Sequence, residues 1–529
     1  MRNYFVFILV FFCLASRWGV GNVFAANPVQ IENAKPGNVE WHKFGFPSDV
    51  HDMEGYADKD SVKAGETIRF FVNANPQIDK SYKLTVYRLG WYGGLGARKV
   101  AVSPLIPSIK QVIPLPDPKT GMVQANWKTP YTLKVPKAWL SGVYVVTVIG
   151  NTSQKGQYIP FIVKDITRKA DYVYQISTLT WQAYNGWGGK SLYPYNSNAL
   201  PVASDTHPVG DAHIPARKVS FNRPYDDWVG LGLLISWEIN MLYFLEREGF
   251  DVAYQTDVDT HVGDGGLLNY KALITAGHDE YWTKAMRDNI ENAQKHGLGL
   301  GFFSANTAFW QVRLESTVAP LTNQRNRTIV GYKSFAAEED PLATNGITND
   351  DHLVTALWRD EHWANRPENE LIGIMYGFWP VNGDIVASRS DPLLADGSPT
   401  SWVYSGTHVK VGTTFKGLLG YETERVYRNG KTPATLRIVA SSPVPLSSVQ
   451  YPQFPFSKAS EPSSQMTVYT KPCTLTPCRN KISTVFATGS MQWAWGLDRY
   501  ARPVNYENEA AKQVTRNVLA RLVSAPLPI

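Results

Sequence analysis

The sequence predicts an α/β protein preceded by an all-β region. Residues 38–165 contain short runs of β-branched and aromatic residues separated by turn clusters. After about residue 170, strand-like and helix-like segments alternate, which is typical of a parallel sheet with crossover helices. The chain has 529 residues, more than one typical domain, so we expect two or three domains.

Residues 1–25 predict a cleavable export signal. Arg2 supplies the charged start, and the apolar run from Tyr4 to Leu14 is too short to span a bilayer. The tripeptide VFA at 23–25 offers a cleavage site with a small last residue. We therefore expect a periplasmic or secreted protein, and no other stretch approaches the length of a membrane span.

The all-β region, 38–165, predicts an immunoglobulin-like β-sandwich. Its clearest strands are "TIRFFVNAN", "YKLTVYRLG" and "GVYVVTVIG", and turn clusters such as "DKDSVKAGE" and "WYGGLGARK" separate them. Six or seven short strands without a helical period favour two packed antiparallel sheets. The boundary is expected near "VKDITRKAD".

The region 170–529 predicts a doubly wound sheet with a parallel core. "WEINMLYFLEREGF" has the periodicity of a helix, and "YKALITAG" and "LGLGFFSAN" are buried strands joined by the helix "TKAMRDNIENAQKHG". The strand "STVFATGS" and a helix over about 505–523 complete it. The intervening 320–480 is rich in Pro, Gly and Trp, which predicts long loop insertions with an antiparallel extension.

Amino-acid composition argues against a nucleic-acid-binding protein and limits the possible roles of cysteine. The net charge of +6 falls to +4 when processing removes Arg2 and Arg17 with no acidic residue, and no basic block of the kind that binds nucleic acid is present. The 17 Trp and 27 Tyr residues suit carbohydrate contact or an aromatic core. Only Cys473 and Cys478 remain after processing, and an exported protein favours a local disulfide between them over free thiols.

Polar residues follow two neighbouring strands where each ends. His278, Asp279 and Glu280 come directly after "KALITAG", and Asn306 comes after "LGLGFF". A right-handed crossover places both sets at one edge of the sheet, where ligands bind in folds of this type. Two simpler interpretations remain open: Asp279 as the N-cap of a helix with Glu280 in its first turn, and Asn306 as a turn residue.

Common catalytic motifs are absent. The sequence lacks H-E-x-x-H and G-x-S-x-G, and it has no cysteine available as a nucleophile. "GKS" at 189–191 resembles the end of a P-loop, but Tyr184 stands where that loop requires its first glycine.

Several motifs, in order from about residue 50 to the C-terminus, resemble the C-terminal region of the large subunit of N,N-dimethylformamidase and its relatives. They include "YRLGWYGGLGARKV", "TWQAYNGWGGKSLY", "SFNRPYDD", "GHDEYW", "SANTAFWQVR", "GYKSF", "GLLGYE" and "VFATGSMQWAWGLD". The resemblance implies that 170–529 is a glutamine amidotransferase-like domain with a mononuclear iron site held by two tyrosines and a glutamate. Carried onto this sequence, the ligands are Tyr184, Tyr225 and Glu280, and the supporting residues are His278, Asn306, Lys333 and Glu422.

That ligand set is chemically coherent. A phenol has a pKa near 10, so two phenolates form at neutral pH only beside a strongly charged cation. Two phenolates and a carboxylate are hard anionic donors, which suit ferric iron better than copper or zinc. The resemblance therefore implies an exported iron-dependent hydrolase of a C–N amide bond, acting on a small amide or N-acyl substrate. In this interpretation His278 or Glu422 moves protons, and Asn306 and Lys333 stabilise the oxyanion.

Other interpretations remain open. A non-catalytic carbohydrate-binding protein of the cell envelope would stack sugar rings on Trp181, Trp187 and Tyr193. A weaker alternative is a zinc site built from His278, Glu280 and either His207 or His213. Taken singly, the proposed site residues are also compatible with packing, turn or surface roles. The sequence is compatible with a homo-oligomer as well.

Overall fold

The computed structural model describes residues 25–47, 49, 51–197, 214–264, 266–318, 324–388, 401–445, 449–450 and 462–524. The predicted signal, 1–25, lies outside these residues except for its last position. Within the described ranges, no helix combines the length and apolar character needed to cross a membrane.

The amino-terminal part is built of strands in two sheets. A short helix, α1 (Pro28–Asn33), comes first, and the strands are β1 (Met53–Ala57), β2 (Ser61–Lys63), β3 (Thr67–Ala74), β4 (Ser81–Leu89), β5 (Ala97–Val102), β6 (Ile106–Pro107), β7 (Tyr131–Lys134), β8 (Gly142–Gly150) and β9 (Gly156–Lys164). One sheet has the order β1-β3-β7 and the other β2-β9-β8-β4-β5, with β6 paired to β4. The two sheets share one apolar core.

Strand β8 is buried on both faces, which explains the continuous apolar run in its sequence. Tyr144, Val146 and Val148 point into the core between the two sheets. Val143 and Val145 point the other way and pack in the core of the following α/β part. A strand covered on both faces loses the alternation of a half-exposed strand, and "GVYVVTVIG" is accordingly a continuous apolar run.

The rest of the described chain is mixed α/β. Its helices are α2 (Thr178–Tyr184), α3 (Ile239–Glu248), α4 (Asp257–Val262), α5 (Lys284–Lys295), α6 (Ala336–Glu339), α7 (Pro341–Thr344) and α8 (Glu509–Val523). Its strands are β10 (Tyr172–Ile176), β11 (Lys218–Ser220), β12 (Val252–Thr256), β13 (Ala272–His278), β14 (Tyr281–Thr283), β15 (Gly299–Ala305), β16 (Trp310–Glu315), β17 (Thr328–Val330), β18 (Met375–Val386), β19 (Thr414–Arg425), β20 (Arg437–Pro443), β21 (Val449–Gln450), β22 (Ser463–Pro472) and β23 (Ile482–Ala487).

A seven-stranded sheet organises this part, in the order β12-β10-β13-β15-β23-β22-β20. The first five strands run parallel, and β22 and β20 add antiparallel strands at one edge. Helices α3 and α8 pack in the core on one face, and α5 packs in the core on the other. The parallel centre with helices on both faces agrees with the prediction from sequence. The long β18–β19 pair and β20–β22 supply the antiparallel extension expected within 320–480.

The helix after β13 begins later than the N-cap interpretation requires. Helix α5 starts at Lys284, and its N-cap is Thr283, whose side chain accepts a hydrogen bond from the Met286 amide. Thr283 is also the last residue of the short strand β14, which follows Glu280 directly and pairs with β16. The interpretation of Asp279 as the helix cap is therefore wrong.

Two buried contacts connect the amino-terminal part to the α/β part. Arg88 on β4 binds Glu246 on α3 through both carboxylate oxygens, at 2.8 and 3.0 Å, and both side chains are fully buried. Glu54 on β1 accepts a 2.6 Å hydrogen bond from Nε1 of Trp187. Far from these contacts, Cys473 and Cys478 form a disulfide between β22 and β23.

Replacing Thr283 with alanine is expected to lower the free energy of unfolding by about 1 kcal/mol, because the Met286 amide loses its capping oxygen. Chemical denaturation followed by circular dichroism measures the change. Thr283→Ser keeps the hydroxyl and should restore most of the lost stability. Equal losses in both variants would contradict the capping role.

Candidate metal centre and active site

The candidate site lies at the carboxyl ends of the parallel strands. Helix α2 follows β10 and ends at Tyr184, His278 is the last residue of β13, and Asn306 follows β15 directly. Glu422 reaches the same place from the long strand β19. Several strands therefore deliver side chains to the edge where open parallel sheets bind ligands.

Two tyrosines and one glutamate meet at the centre of the site. The Tyr184 hydroxyl donates to Oε2 of Glu280 at 2.8 Å. The Tyr193 hydroxyl lies 2.8 Å from Oε1 and 2.9 Å from Oε2 of the same carboxylate. Tyr281 donates to the Tyr193 hydroxyl at 2.7 Å. Three side-chain groups with hard oxygen atoms thus converge on one point.

Tyr193 reaches Glu280 because the chain turns back after α2. Gly188 and Gly189 adopt positive φ angles of 75° and 83°, and the Leu192 amide then donates to the Ala183 carbonyl at 3.0 Å. The turn returns Tyr193 beside Tyr184, with their ring centroids 4.2 Å apart. A side chain on Gly188 would meet Val123 at 2.6 Å, so this position requires glycine.

Tyr225, the second tyrosine expected from sequence, lies elsewhere. Its ring packs edge-on against Trp181, with centroids 6.0 Å apart. It lines a different, small pocket together with Asp60 and Arg327. The structure thus brings Tyr184 to Glu280 but not Tyr225, and the second phenol in contact with Glu280 belongs to Tyr193.

His278, Asn306 and Glu422 form a hydrogen-bonded group beside this centre. Nε2 of His278 lies 2.9 Å from Oε2 of Glu422 and 3.2 Å from Oε2 of Glu280. Nδ2 of Asn306 donates to Oε2 of Glu422 at 3.0 Å. The Asn306 backbone has a φ of 53°, and its Oδ1 atom is buried without a hydrogen-bond partner. The imidazole thus bridges the two carboxylates.

Lys333 covers the tyrosine side of the site. Its Nζ lies 3.3 Å from the centroid of the Tyr193 ring and donates to the Leu192 carbonyl at 3.1 Å. Burial lowers the pKa of Lys333 to about 7, although Glu280 and Glu422 favour its charged form. The six other residues predicted from sequence, all except Tyr225, therefore gather here: Tyr184, His278, Glu280, Asn306, Lys333 and Glu422.

Burial and the two carboxylates set the protonation of the site. Burial, followed by the negative charge of Glu280, raises the pKa of the Tyr184 and Tyr193 phenols well above the usual value. Burial opposes the charged form of His278, but Glu422 and Glu280 raise its pKa to about 10. Burial also opposes ionisation of Glu280, yet His278 holds its pKa below the usual value. The protein alone thus keeps the phenols protonated and donating to the carboxylate.

The donor set fits a hard trivalent cation. Both phenol oxygens already touch Glu280, and a cation among them would replace the phenol protons that now make these contacts. Among the described residues, no group of three or more His, Cys, Asp or Glu side chains is arranged to hold a metal. For the zinc alternative, His207 and His213 lie outside the described residues.

The two tryptophans of the carbohydrate alternative are core residues. Trp181 is 1% exposed and donates to Glu238, and Trp187 is 3% exposed and donates to Glu54. Neither ring face is available to a sugar. Tyr193 is partly buried against the site. The stacking surface expected from these residues is therefore not formed.

A cavity of about 360 Å³ opens above the site. Six site residues line it: Tyr184, Tyr193, Glu280, Asn306, Lys333 and Glu422. His278 is buried and is not part of the cavity lining. From sequence, Tyr193 was expected only as a sugar-stacking residue and not as a partner of Tyr184 and Glu280. Its signal was the pair of tyrosines flanking a glycine-rich turn in "YNGWGGKSLY".

The chain is similar to proteins described as N,N-dimethylformamidase beta subunits. A family model described as "N,N-dimethylformamidase beta subunit-like, C-terminal" matches residues 83–508. The N,N-dimethylformamidase beta subunit of Alcaligenes sp is 24% identical over 434 residues, which cover 75% of this chain and 54% of that protein. The chain thus spans about half the length of this relative.

Proposed function

The chain belongs to the N,N-dimethylformamidase beta subunit-like family, and from this premise we propose that it is an iron-dependent hydrolase of C–N amide bonds. The observation that carries the proposal is the convergence of Tyr184 and Tyr193 on the Glu280 carboxylate, at 2.8 to 2.9 Å. Three hard oxygen donors at the floor of a cavity are the ligands that ferric iron prefers.

Iron would be held by Tyr184, Tyr193 and Glu280. When bound, it supplies Lewis acidity toward a carbonyl oxygen or a water molecule. This ligand set differs from that expected from sequence at one position, where Tyr193 replaces Tyr225.

The remaining site residues handle protons and charge. Glu422 faces the cavity and accepts the proton of the attacking water, and His278, 2.9 Å from Glu422, shares that proton and holds the carboxylate in place. The same pair returns the proton to the departing amine nitrogen. Asn306 positions Glu422, and the Lys333 ammonium group stabilises the negative charge that develops on the carbonyl oxygen.

We also propose export from the cytoplasm, a fold for each of the two parts and self-association. The sequence of residues 1–25 supports export to the periplasm or beyond. The two-sheet core supports an immunoglobulin-like sandwich, and the parallel sheet supports a glutamine amidotransferase-like domain. The relative is named as a beta subunit, which supports assembly with further chains, and we also propose that copies of this chain associate with one another. Light scattering of the purified chain measures its mass.

Ferric iron bound to phenolate absorbs visible light, so the purified protein is expected to be coloured and to contain about one iron per chain. Tyr184→Phe and Tyr193→Phe each remove one donor oxygen and should abolish or strongly shift the band. Absorption spectra and metal analysis measure both effects.

Tyr225→Phe is the matched control, because Tyr225 packs on Trp181 and lines a different pocket. It should keep the band and the iron. Loss of colour in Tyr225→Phe with retention in Tyr193→Phe would restore the ligand set expected from sequence. Colourless, iron-free protein after expression with ample iron would refute the proposed metal centre.

A further inference from the structure

The cavity above Glu280 has a polar floor and an aromatic rim. Glu280 and Asn306 are only 2% and 1% exposed and lie at its base. Phe335 and Trp379 also line the cavity but are 40% and 38% exposed. The exposed aromatic rings thus lie at the opening, and the groups that act on an amide lie below.

The wall between floor and rim is largely apolar. Leu192, Phe309 and Trp310 line it, and each is at most 4% exposed. The side chains of Leu192 and Phe309 offer no hydrogen bonds, so this part of the wall favours contact with carbon.

Neighbouring side chains hold the two rim rings in place. The Arg217 guanidinium lies 3.9 Å from the centroid of Phe335 and is itself bound to Glu339. Trp379 meets Tyr421 edge-on, with centroids 5.8 Å apart. Rings held in this way present fixed faces to a ligand, which lowers the entropy lost on binding.

We infer, resting on the proposed hydrolase function, that the substrate is an N-acyl compound bearing a ring that packs on Trp379 and Phe335 while its amide reaches Glu280. A cavity of about 360 Å³ falls in the range that encloses a ligand of drug-like size. Dimethylformamide would occupy only a small part of it and would leave both rim rings unused. An aryl ring and a sugar ring share the required chemistry, which is a flat apolar face.

The reaction balances without a further reagent. Water adds a hydroxyl group to the acyl carbon, the C–N bond breaks, and nitrogen takes the remaining proton. The products are a carboxylic acid and an amine, and the ring leaves with whichever part carried it.

The test compares three amides with the full-length, iron-loaded protein: acetanilide, N-acetylglucosamine and dimethylformamide. We expect kcat/KM for at least one ring-bearing compound to exceed that for dimethylformamide tenfold or more. The better of the two identifies an aryl or a sugar ring. Values for both rings that are equal to or below that for dimethylformamide would overturn the inference while leaving the hydrolase function standing.

Calorimetric binding separates the two proposals if no amide is hydrolysed. Binding of a ring compound that depends on Trp379 would then support the ring site and count against hydrolysis. Absence of binding by both ring compounds would overturn the ring site.

Variants locate the ring contact. Trp379→Ala should lower the ratio of kcat/KM for the preferred ring compound to that for dimethylformamide roughly five- to tenfold, and Trp379→Phe should restore much of it. Phe46→Ala removes an aromatic ring that is 54% exposed on the amino-terminal part, away from the cavity, and should not change the ratio. An unchanged ratio in Trp379→Ala contradicts the inference.

Discussion

Replacing Glu422 with glutamine is expected to lower kcat for amide hydrolysis about 100- to 10,000-fold, the usual contribution of a positioned general base. The Glu422 carboxylate contacts His278 and Asn306 and faces the cavity, whereas the phenols of Tyr184 and Tyr193 contact Glu280. Glutamine keeps the size of the side chain but cannot accept the proton. Iron content and the visible band should therefore stay near those of the unmodified protein while turnover is lost.

Glu361→Gln is the control for this experiment, because Glu361 is an exposed glutamate outside the cavity lining. It should leave both kcat and iron content unchanged. Steady-state kinetics and metal analysis on the same preparations make the comparison. Full turnover in Glu422→Gln, or loss of iron together with activity, would count against a separate role in proton transfer.

The second large effect concerns the contact between Arg88 and Glu246. Glu246→Gln is expected to lower the free energy of unfolding by about 3–5 kcal/mol, because it removes the only carboxylate that contacts the buried Arg88 guanidinium directly in the part of the chain that the structure describes. The same carboxylate accepts a hydrogen bond from Tyr254 at 2.9 Å, so the change disturbs a network rather than one pair. Urea denaturation followed by tryptophan fluorescence measures the loss.

An exposed ion pair provides the matched comparison. Lys271 and Asp171 are 2.7 Å apart, and their side chains are 52% and 39% exposed. Asp171→Asn should cost no more than about 1 kcal/mol, because water already screens this pair. Similar losses for the two variants would mean that burial does not set the cost at Glu246.

Local patterns predicted much of the site. The apolar runs of β13 and β15 end where His278, Glu280 and Asn306 begin, and the edge shared by parallel strands brings these residues together. Residues just after a buried strand can be identified without any knowledge of distant contacts. The central sheet was predictable for the same reason.

Other features depend on contacts between distant segments. Tyr193 reaches Glu280 only because the glycine-rich turn folds back, whereas the assignment of Tyr225 was carried over from the family resemblance and did not take this turn into account. Strand β14 has three residues and is defined by its pairing with β16, so its sequence alone did not distinguish it from a helix start. In each case a partner far along the chain sets the geometry.

The hydrogen bond from Trp187 to Glu54 links the two structural parts at the site itself. Trp187 lies in the turn between the two site tyrosines, and it packs with Tyr56 and Trp127 of the amino-terminal part. The amino-terminal part therefore positions the loop that carries Tyr184 and Tyr193. A truncated protein that begins after residue 165 would lose these contacts. A chimera between relatives must exchange Glu54 and Trp187 together, because they form one hydrogen bond across the two parts.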